Sequence, residues 1–219
     1  MELLNNIKTS LKKITFPGSR NYWEKRYQSG NTSGNGSYNL LAEFKAEVLN
    51  NFVNEYNISS VIEFGCGDGN QLLLGNYKKY IGLDVSKTAI KICIKKYLTD
   101  RNKSFFIYDS DCFIDNAGIL KADLALSLDV VYHLIEDRIF ENYMNHLFNS
   151  ADKYVIIYSS NTDDNNKNIL PHVKHRNFTE WINKNKANWN LREKIPNKYP
   201  FKGDGLTGSF ADFYIFNKV

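Results

Sequence analysis

Cysteine is scarce in this chain, and its positions exclude two of its common uses. The 219 residues contain three cysteines, Cys66, Cys93 and Cys112, with no CxxC spacing. An odd, scattered set argues against a disulfide framework and against a zinc site. We therefore expect a protein of the reducing cytoplasm with no bound metal.

Long apolar runs are also missing. The first residues, MELLNNIKTSLKKITF, lack the continuous apolar stretch of a signal peptide, and no run elsewhere is long enough to span a bilayer. Leu3, Ile7, Leu11 and Ile14 fall at helical spacing. This spacing predicts a weak amphipathic segment that packs on the domain or frays, with contact to a membrane surface as the alternative.

An excess of one charge is absent as well. Lys and Arg total 28 against 24 Asp and Glu, and the two signs are interspersed. A basic arm that could track a phosphate backbone is therefore missing, and we expect no nucleic-acid partner. The length of the chain fits one domain better than two.

Two kinds of apolar segment alternate along the middle of the chain. Short β-branched and aromatic runs predict strands, and longer amphipathic stretches predict helices. The predicted strands span residues 60–64, 80–83, 105–108, 123–128 and 154–158, and the predicted helices span 71–74, 87–97 and 137–148. This alternation implies parallel βαβ units.

The C-terminal part of the chain departs from this alternation. Residues 178–186 predict a helix, whereas 189–194 and 210–216 predict two strands with no helix between them. Two such strands can pair as an antiparallel hairpin at one edge of the sheet.

The N-terminal part predicts a helical region over residues 22–56. It is interrupted by QSGNTSGNGS, a stretch that cannot hold regular structure and is free to move. We therefore divide the chain into an N-terminal helical segment with a mobile Gly/Ser lid, residues 1–56, and a main domain, residues 57–219.

Three glycines at alternate positions follow a short apolar strand in VIEFGCGDGN. They are Gly65, Gly67 and Gly69, with Glu63 two residues before the first. Glycine lets the backbone turn tightly and lets a ligand approach without a Cβ in the way. The next strand, YIGLD, ends in Asp84, fifteen residues past the last glycine, where a carboxylate can accept hydrogen bonds from both hydroxyls of a ribose. An ordinary glycine-rich βα turn is the alternative.

The glycine spacing separates two kinds of nucleotide site. A dinucleotide fingerprint places its third glycine three residues after the second, where this chain has Asn70. The E-x-G-x-G-x-G arrangement present instead resembles motif I of class I S-adenosylmethionine methyltransferases. The resemblance covers roughly residue 20 to the end. It implies an α/β, three-layer Rossmann-like methyltransferase domain, with a seven-stranded, mostly parallel sheet whose last strand is antiparallel, and S-adenosylmethionine as cofactor.

The resemblance also implies which residues hold the cofactor. Besides Glu63, the glycines and Cys66 of motif I, the acid after the second strand binds the ribose and the residue after it lies against adenine; here these are Asp84 and Val85. The acid that ends the third strand, here Asp109, typically meets the adenine amino group, with Ser110 beside it. Asp111 is a rival for that role, and a solvated strand end is the alternative for Asp109.

The segment ADLALSLDVVYHL resembles motif IV, over which the methyl group faces its acceptor. The backbone near Leu128 and Asp129 would contact the methionine amino group, and His133 would lie at the mouth of the acceptor pocket, with Tyr132 beside it. Methyl transfer to a hydroxyl requires removal of a proton, and His titrates near the working pH. The alternative is that His133 orders the loop after the strand.

Motif IV also bears on the type of acceptor. Methyltransferases that act on exocyclic amines of bases or on glutamine amides carry an Asn/Asp-Pro-Pro-Tyr type sequence there, whereas this chain has Asp129-Val130-Val131-Tyr132. Base and amide N-methylation are therefore disfavoured, and O-methylation is favoured.

The segment PHVKHRNFTEWI contains a dense polar group, His172, Lys174, His175 and Arg176. In a domain of this topology it lies at the carboxyl edge of the sheet, where ligands bind. Two imidazoles and a guanidinium suit an anionic acceptor, such as a phosphorylated or sugar-type small molecule. A solvated loop is one alternative, and a three-His metal site that includes His133 is another.

Aromatic and basic residues precede the Gly/Ser stretch in NYWEKRYQ. This pattern resembles the N-terminal segment of small-molecule methyltransferases that closes over the cofactor. It implies contacts from Tyr22, Arg26 and Tyr27, with Arg26 at the methionine carboxylate. Trp23 is either part of this lid or a core residue.

The function that the sequence favours is methyl transfer from S-adenosylmethionine to a small acceptor. The whole chain resembles bacterial methyltransferases found with genes for capsular or other surface polysaccharides, and this association with a family implies a role in polysaccharide modification. An RNA or protein methyltransferase, an NAD-binding or nucleotide-sugar oxidoreductase and a non-catalytic cofactor-binding protein are the alternatives.

Overall fold

A computed structural model describes residues 16–165 and 170–219 of the chain. The amphipathic segment predicted from Leu3 to Ile14 lies outside the described residues. None of the helices in the described ranges is long and apolar enough to cross a membrane.

Helices and strands alternate through most of the described chain. The α-helices are α1 Ser19–Gln28, α2 Asn39–Glu55, α3 Lys87–Lys96, α4 Asp137–Asn149 and α5 Phe178–Asn185. The strands are β1 Val61–Phe64, β2 Tyr80–Asp84, β3 Lys103–Ile107, β4 Ala122–Leu128, β5 Ala151–Ser159, β6 Trp189–Ile195 and β7 Asp212–Lys218. Short 3-10 turns occupy Asn35–Ser37, Gln71–Leu74 and Val131–His133.

The strands form one sheet in the order β3-β2-β1-β4-β5-β7-β6. Strands β1 to β5 pair in parallel, and β7 is antiparallel to both β5 and β6. The predicted α/β fold with a mostly parallel, seven-stranded sheet and an antiparallel last strand is confirmed, and so is the β6–β7 hairpin. The chain moves outward from β1 in both directions, so the switch point lies between β1 and β4, where such sheets bind ligands.

Several predicted boundaries were wrong by a few residues. Strand β3 begins at Lys103 rather than at Phe105, because it is an edge strand whose first residues are polar and half-exposed or exposed. Residues 71–74 form a 3-10 turn rather than an α-helix, since four residues are too few for a stable α-helix. Strand β7 spans Asp212–Lys218 rather than 210–216.

Apolar side chains cover both faces of the sheet. On one face, Met144 and Leu147 of α4 and Phe178 of α5 pack against strand residues that include Ile62. On the other face, residues of α2 and α3, such as Leu49, pack against residues from the same strands. This alternation along each strand gives the predicted three layers.

Helix α1 lies across the carboxyl ends of the strands and is anchored at two points. At its start, the hydroxyl and backbone N–H of Ser19 donate to Glu136, just before α4, at 2.7 and 3.0 Å. Near its middle, the Glu24 carboxylate accepts from the hydroxyls of Ser86 and Thr88, at the start of α3, at 2.6 and 2.8 Å. The described part of residues 1–56 therefore packs on the main domain and closes the ligand edge of the sheet.

Candidate functional site

A cavity of about 160 Å³ opens at the switch point of the sheet. The glycine-rich turn after β1, the ends of β2, β3 and β4, and helix α1 surround it. The predicted site residues that line it are Tyr27, Glu63, Gly65, Cys66, Gly67, Asp84, Val85, Asp109, Ser110, Leu128, Asp129 and His133. Gly69, Tyr22 and Arg26 lie outside this lining.

The three glycines adopt the left-handed conformation that the sequence pattern requires. Their φ angles are 85° at Gly65, 56° at Gly67 and 69° at Gly69. A Cβ on Gly65 would come within 2.4 Å of the Val130 side chain, and one on Gly67 within 2.3 Å of the Ser33 hydroxyl. Both positions therefore need glycine on steric and conformational grounds.

The Asp84 carboxylate is buried at the end of β2 and already holds the turn. It accepts hydrogen bonds from the backbone N–H groups of Gly67, at 2.9 Å, and Ser86, at 2.8 Å. Burial raises its pKa to about 6, against the effect of these two donors. Each carboxylate oxygen retains acceptor capacity, so two further donors, such as the hydroxyls of a ribose, fit the group.

Glu63 is buried beneath the glycine turn. The Tyr80 hydroxyl donates to one of its oxygens at 2.6 Å. Burial raises the pKa of Glu63 to about 7. With Asp84, it gives this part of the cavity an acidic floor.

The acids at the end of β3 each have a cation partner. Asp109 accepts from Arg20 of α1 at 2.6 Å, and Asp111 pairs with Arg138 of α4 at 2.7 Å. A hydrogen bond from the Asp111 backbone, and then the contact with Arg20, hold the pKa of Asp109 below its ordinary value. Both acids line the cavity, so either carboxylate is placed to meet the adenine group of a cofactor.

A buried ion pair joins α2 to the end of β4. Lys45 is fully buried, and its Nζ lies 2.6 Å from one oxygen of Asp129; the Tyr132 hydroxyl donates to the other oxygen at 2.8 Å. Asp129 has a positive φ of 60°. Sequence reasoning missed Lys45, although its place on the apolar helical face of Leu41 and Leu49 was a signal.

The Gly/Ser stretch is docked on the glycine turn. The backbone N–H of Ser33 donates to the Asp68 carboxylate, and the backbone N–H of Asp68 donates to the Ser33 hydroxyl, both at 3.0 Å. The Tyr38 hydroxyl adds a bond to Asp68 at 2.9 Å, and the Tyr27 hydroxyl lies 3.0 Å from that of Ser33. The stretch predicted to be a lid therefore lies directly over the turn.

His133 lies in the turn after β4 with one nitrogen engaged. Its Nδ1 is 2.7 Å from the carbonyl oxygen of His172. A carbonyl only accepts, so Nδ1 carries the proton and Nε2 keeps its lone pair. Burial lowers the pKa of His133 to about 4. The imidazole is therefore neutral near pH 7, and its weakly basic Nε2 has no hydrogen-bond partner among the described residues.

A second pocket of about 220 Å³ adjoins the first cavity. The residues that line both are Trp23, Ser33, Ser37, Asp129 and His133. Arg26, Tyr132 and His172 line the second pocket alone, together with Phe201 and Phe210 from the β6–β7 loop. The two loop aromatics were not predicted as site residues, because nothing in their local sequence marks a ligand contact.

Two residues of the polar group predicted for the acceptor lie outside the second pocket's lining. The Arg176 guanidinium donates to the carbonyls of Leu134 and Ile135, at 2.9 and 3.1 Å, and to Asp137 at 2.7 Å. These bonds order the chain between β4 and α4. His175 lies 2.7 Å from the Ser160 hydroxyl through Nδ1.

Two further predictions concern rings and metals. Tyr22 stacks on His172 with ring centroids 4.5 Å apart, so it supports the wall of the second pocket from behind.

Within residues 16–165 and 170–219, no group of three or more His, Cys, Asp or Glu side chains is arranged to hold a metal ion.

Gln71 is a residue of the first cavity that sequence reasoning missed. Its Nε2 donates to the Ala42 carbonyl at 3.0 Å, which fixes the orientation of the amide. Its Oε1 is buried and has no hydrogen-bond partner among the described residues. A buried acceptor without a donor is costly, so a ligand that brings a donor would stabilise the site.

The fold is similar to that of solved methyltransferases. Magnesium protoporphyrin IX methyltransferase from Synechocystis PCC 6803, solved with bound SAH, aligns with a TM-score of 0.64 at 16% identity, over 91% of this chain and 97% of that one. N-methyltransferase NodS from Bradyrhizobium japonicum WM9, also with SAH, aligns with a TM-score of 0.60 at 15% identity, over 80% and 85%.

A third similar structure is the methyltransferase domain of bacterial CtHen1-C. It aligns with a TM-score of 0.62 at 19% identity, over 80% of this chain and 97% of that one. No family model and no curated protein matches the chain. At these identities the likeness establishes the fold of class I methyltransferases.

We expect Lys45→Met to lower the free energy of unfolding by about 3 kcal/mol, the low end for a buried pair, because it leaves the Asp129 carboxylate, whose side chain is only 14% exposed, without a cation. Urea unfolding at pH 7 measures the change. The double variant Lys45→Met/Asp129→Asn removes both charges and should recover most of the loss. A single variant as stable as the wild type would show that the pair carries no structural role.

The lowered pKa of His133 makes stability depend on pH. The folded value of about 4 lies below the ordinary 6.5, so this contribution is present above pH 6.5 and is lost as pH falls toward 4. Between pH 7 and pH 5 this contribution should fall by about 2 kcal/mol, so the change in stability of the wild type should be less favourable than that of His133→Gln by about this amount. Urea unfolding at both pH values tests this, and an unchanged pH dependence in the variant would contradict it.

Proposed function

We propose that the first cavity binds S-adenosylmethionine and that the protein transfers its methyl group to the oxygen of a small acceptor in the adjoining pocket. The observation that carries the proposal is the glycine turn with Asp84. Gly65 and Gly67 have no room for a Cβ, and they lie beside a buried carboxylate that can accept further hydrogen bonds. That is the chemistry a ribose needs.

The charge of the cavity supports this cofactor over a dinucleotide. Glu63 and Asp84 line it, and burial raises the pKa values of both. A pyrophosphate would add negative charge beside these groups, whereas a sulfonium and an ammonium group would offset theirs. An NAD-dependent oxidoreductase is therefore the weaker candidate.

Gln71 supports the placement of the amino-acid end of the cofactor. The unpartnered Oε1 belongs to a lining residue of the cavity whose amide is held by the Ala42 carbonyl of α2. The methionine ammonium group is the cofactor's strongest donor, and it would satisfy this oxygen. In this assignment Asp109 or Asp111 meets adenine, Asp84 the ribose and Gln71 the ammonium group.

The protein's part in the transfer is alignment and exclusion of water. S-adenosylmethionine supplies an activated methyl group on a sulfonium, so the approach of the acceptor limits the reaction. Trp23, Asp129 and His133 line both cavities and would hold the acceptor at their junction. The free Nε2 of His133 would take the acceptor proton.

The acceptor is proposed as a small, anionic molecule. Arg26 supports the anion, since it lines the second pocket, whereas Arg176 and His175 are engaged elsewhere. A phosphorylated or sugar-type acceptor, a role in surface polysaccharide modification and a cytoplasmic location stay predictions from the sequence. RNA methylation remains the alternative, because one similar structure is that of a small RNA methyltransferase.

Calorimetry with S-adenosylhomocysteine tests the cofactor assignment. We expect the wild type to bind it and Asp84→Ala to weaken binding by about 1.5–3 kcal/mol, because hydrogen bonds to a charged group are lost. Gln71→Leu should weaken the binding of S-adenosylhomocysteine by a similar amount. It should leave the binding of 5′-methylthioadenosine, which lacks the amino-acid group, unchanged. No binding by the wild type would refute the proposal. Equal loss for both ligands in Gln71→Leu would refute only the role of Gln71.

Substitution of His133 tests its role as the base. We expect His133→Ala to lower kcat about 100-fold, at the low end for a general base because its nitrogen is weakly basic. The affinity for S-adenosylhomocysteine should stay the same, and added imidazole should restore part of the rate. Undiminished turnover would show that His133 is not the base and that it only orders the loop after β4.

A further inference from the structure

The walls of the second pocket are made mainly of rings. The ring-bearing residues of its lining, here called the ring wall, are Trp23, Tyr132, His133, His172, Phe201 and Phe210. They come from α1, from the turn after β4, from the segment before α5 and from the β6–β7 loop. A surface assembled from four separate parts of the chain is a feature of the folded site rather than of one local motif.

The rings contact one another in a continuous series. Trp23 meets His133 with centroids 4.9 Å apart, and His133 lies 4.4 Å from Tyr132. Tyr132 in turn meets Phe210 edge to face at 4.9 Å. Because the rings hold one another in place, the pocket presents fixed flat surfaces, which favour stacked or edge-to-face contact with a ring-shaped ligand.

The charge of the pocket limits the charge of its ligand. Among the described residues of the lining, Arg26 is the only Lys or Arg, and the one carboxylate, Asp129, is paired with Lys45. Burial lowers the pKa values of His133 and His172 to about 4, so neither imidazole adds a positive charge near pH 7. One negative charge matches this pocket, whereas a phosphate dianion would leave charge uncompensated.

Arg26 is placed to receive that negative charge. Its Nε donates to the Thr32 carbonyl at 2.7 Å, and its guanidinium carbon lies 5.7 Å from the ring centroid of Trp23. Its two terminal nitrogens form no hydrogen bond to another described residue. A guanidinium held at Nε, with both terminal nitrogens free, suits a planar carboxylate.

We infer that the methyl acceptor is a hydroxylated ring compound carrying a single carboxylate group. The ring packs against the ring wall, the carboxylate pairs with Arg26, and the hydroxyl faces the junction beside His133 and Asp129. This rests on the proposed methyl transfer and assigns Arg26 to the acceptor instead of to the cofactor. Aromatic hydroxy acids and sugar acids share this chemistry.

The reaction balances with the groups at hand. A bond forms between the acceptor oxygen and the methyl carbon, and the bond between that carbon and the sulfonium sulfur breaks. The electron pair of the broken bond stays on sulfur as a neutral thioether. The hydroxyl proton passes to Nε2 of His133 and from there to water, so no oxidant or reductant is required.

The test compares two pairs of acceptors: 3,4-dihydroxybenzoate with catechol, which lacks its carboxylate, and the methyl glycoside of glucuronate with glucose 6-phosphate, which carries a phosphate in place of the carboxylate. Release of S-adenosylhomocysteine measures transfer, and calorimetry with and without that product measures acceptor binding. We expect one of the two carboxylates to be methylated with kcat/KM at least tenfold above its rivals without a carboxylate. The preferred carboxylate distinguishes the aromatic from the sugar source.

Substitution of Arg26 separates the acceptor role from the cofactor role. Arg26→Gln should weaken binding of the preferred carboxylate at least tenfold and leave the affinities for catechol and for S-adenosylhomocysteine unchanged. Lys25→Gln, on the same helix but exposed and outside both linings, is the matched control and should change none of these values. Phe210→Leu should weaken all ring acceptors alike.

Three results would overturn the inference. They are preference for glucose 6-phosphate, transfer to none of the four compounds, and an Arg26→Gln variant that loses affinity for S-adenosylhomocysteine instead of for the carboxylate. The proposed function fails separately, because it requires that the wild type bind S-adenosylhomocysteine before any acceptor is added.

Discussion

The ion pair between Lys45 and Asp129 determines where the two cavities meet. Lys45 is fully buried, so its charge interacts strongly with the carboxylate 2.6 Å away. The pair joins α2 to the end of β4 and holds Asp129 in a left-handed conformation that costs about 1–3 kcal/mol on its own. A Cβ on Gly36 would lie 2.6 Å from the same carboxylate, so the Gly/Ser stretch also packs against this pair.

Closure of the site follows from side chains that hold the N-terminal segment at several points. Glu24 binds the start of α3, Ser19 binds Glu136, and Ser33 and Asp68 exchange hydrogen bonds over the glycine turn. Each bond is modest when taken singly. Together they cover buried carboxylates whose pKa values burial has raised, so the enclosed space is suited to a ligand with positive charge.

The fold and the cofactor half of the site were largely predictable, because their signals are local. Alternating strands and helices gave the sheet, and the glycine spacing with Asp84 marked one turn and one strand end. The partners of Lys45 and Gln71 could not be assigned in this way, since folding brings them near; the apolar helical face of Lys45 marks its burial but not its pairing with Asp129. Arg176 shows the opposite case, because its charge suggested a ligand and its hydrogen bonds go to backbone carbonyls.

The acceptor half is harder to read from sequence for a physical reason. The cofactor half depends on glycines and acids at fixed spacings in the sequence. The ring wall depends on aromatic side chains from separate parts of the chain that come into contact only in the folded protein. Phe201 and Phe210 occupy a long loop; Phe210 meets Tyr132, and Phe201 meets Phe210, only because the β6–β7 hairpin lies at the edge of the sheet. Such a surface can change without disturbing the sheet, which is consistent with a chain that has the methyltransferase fold but matches no family model.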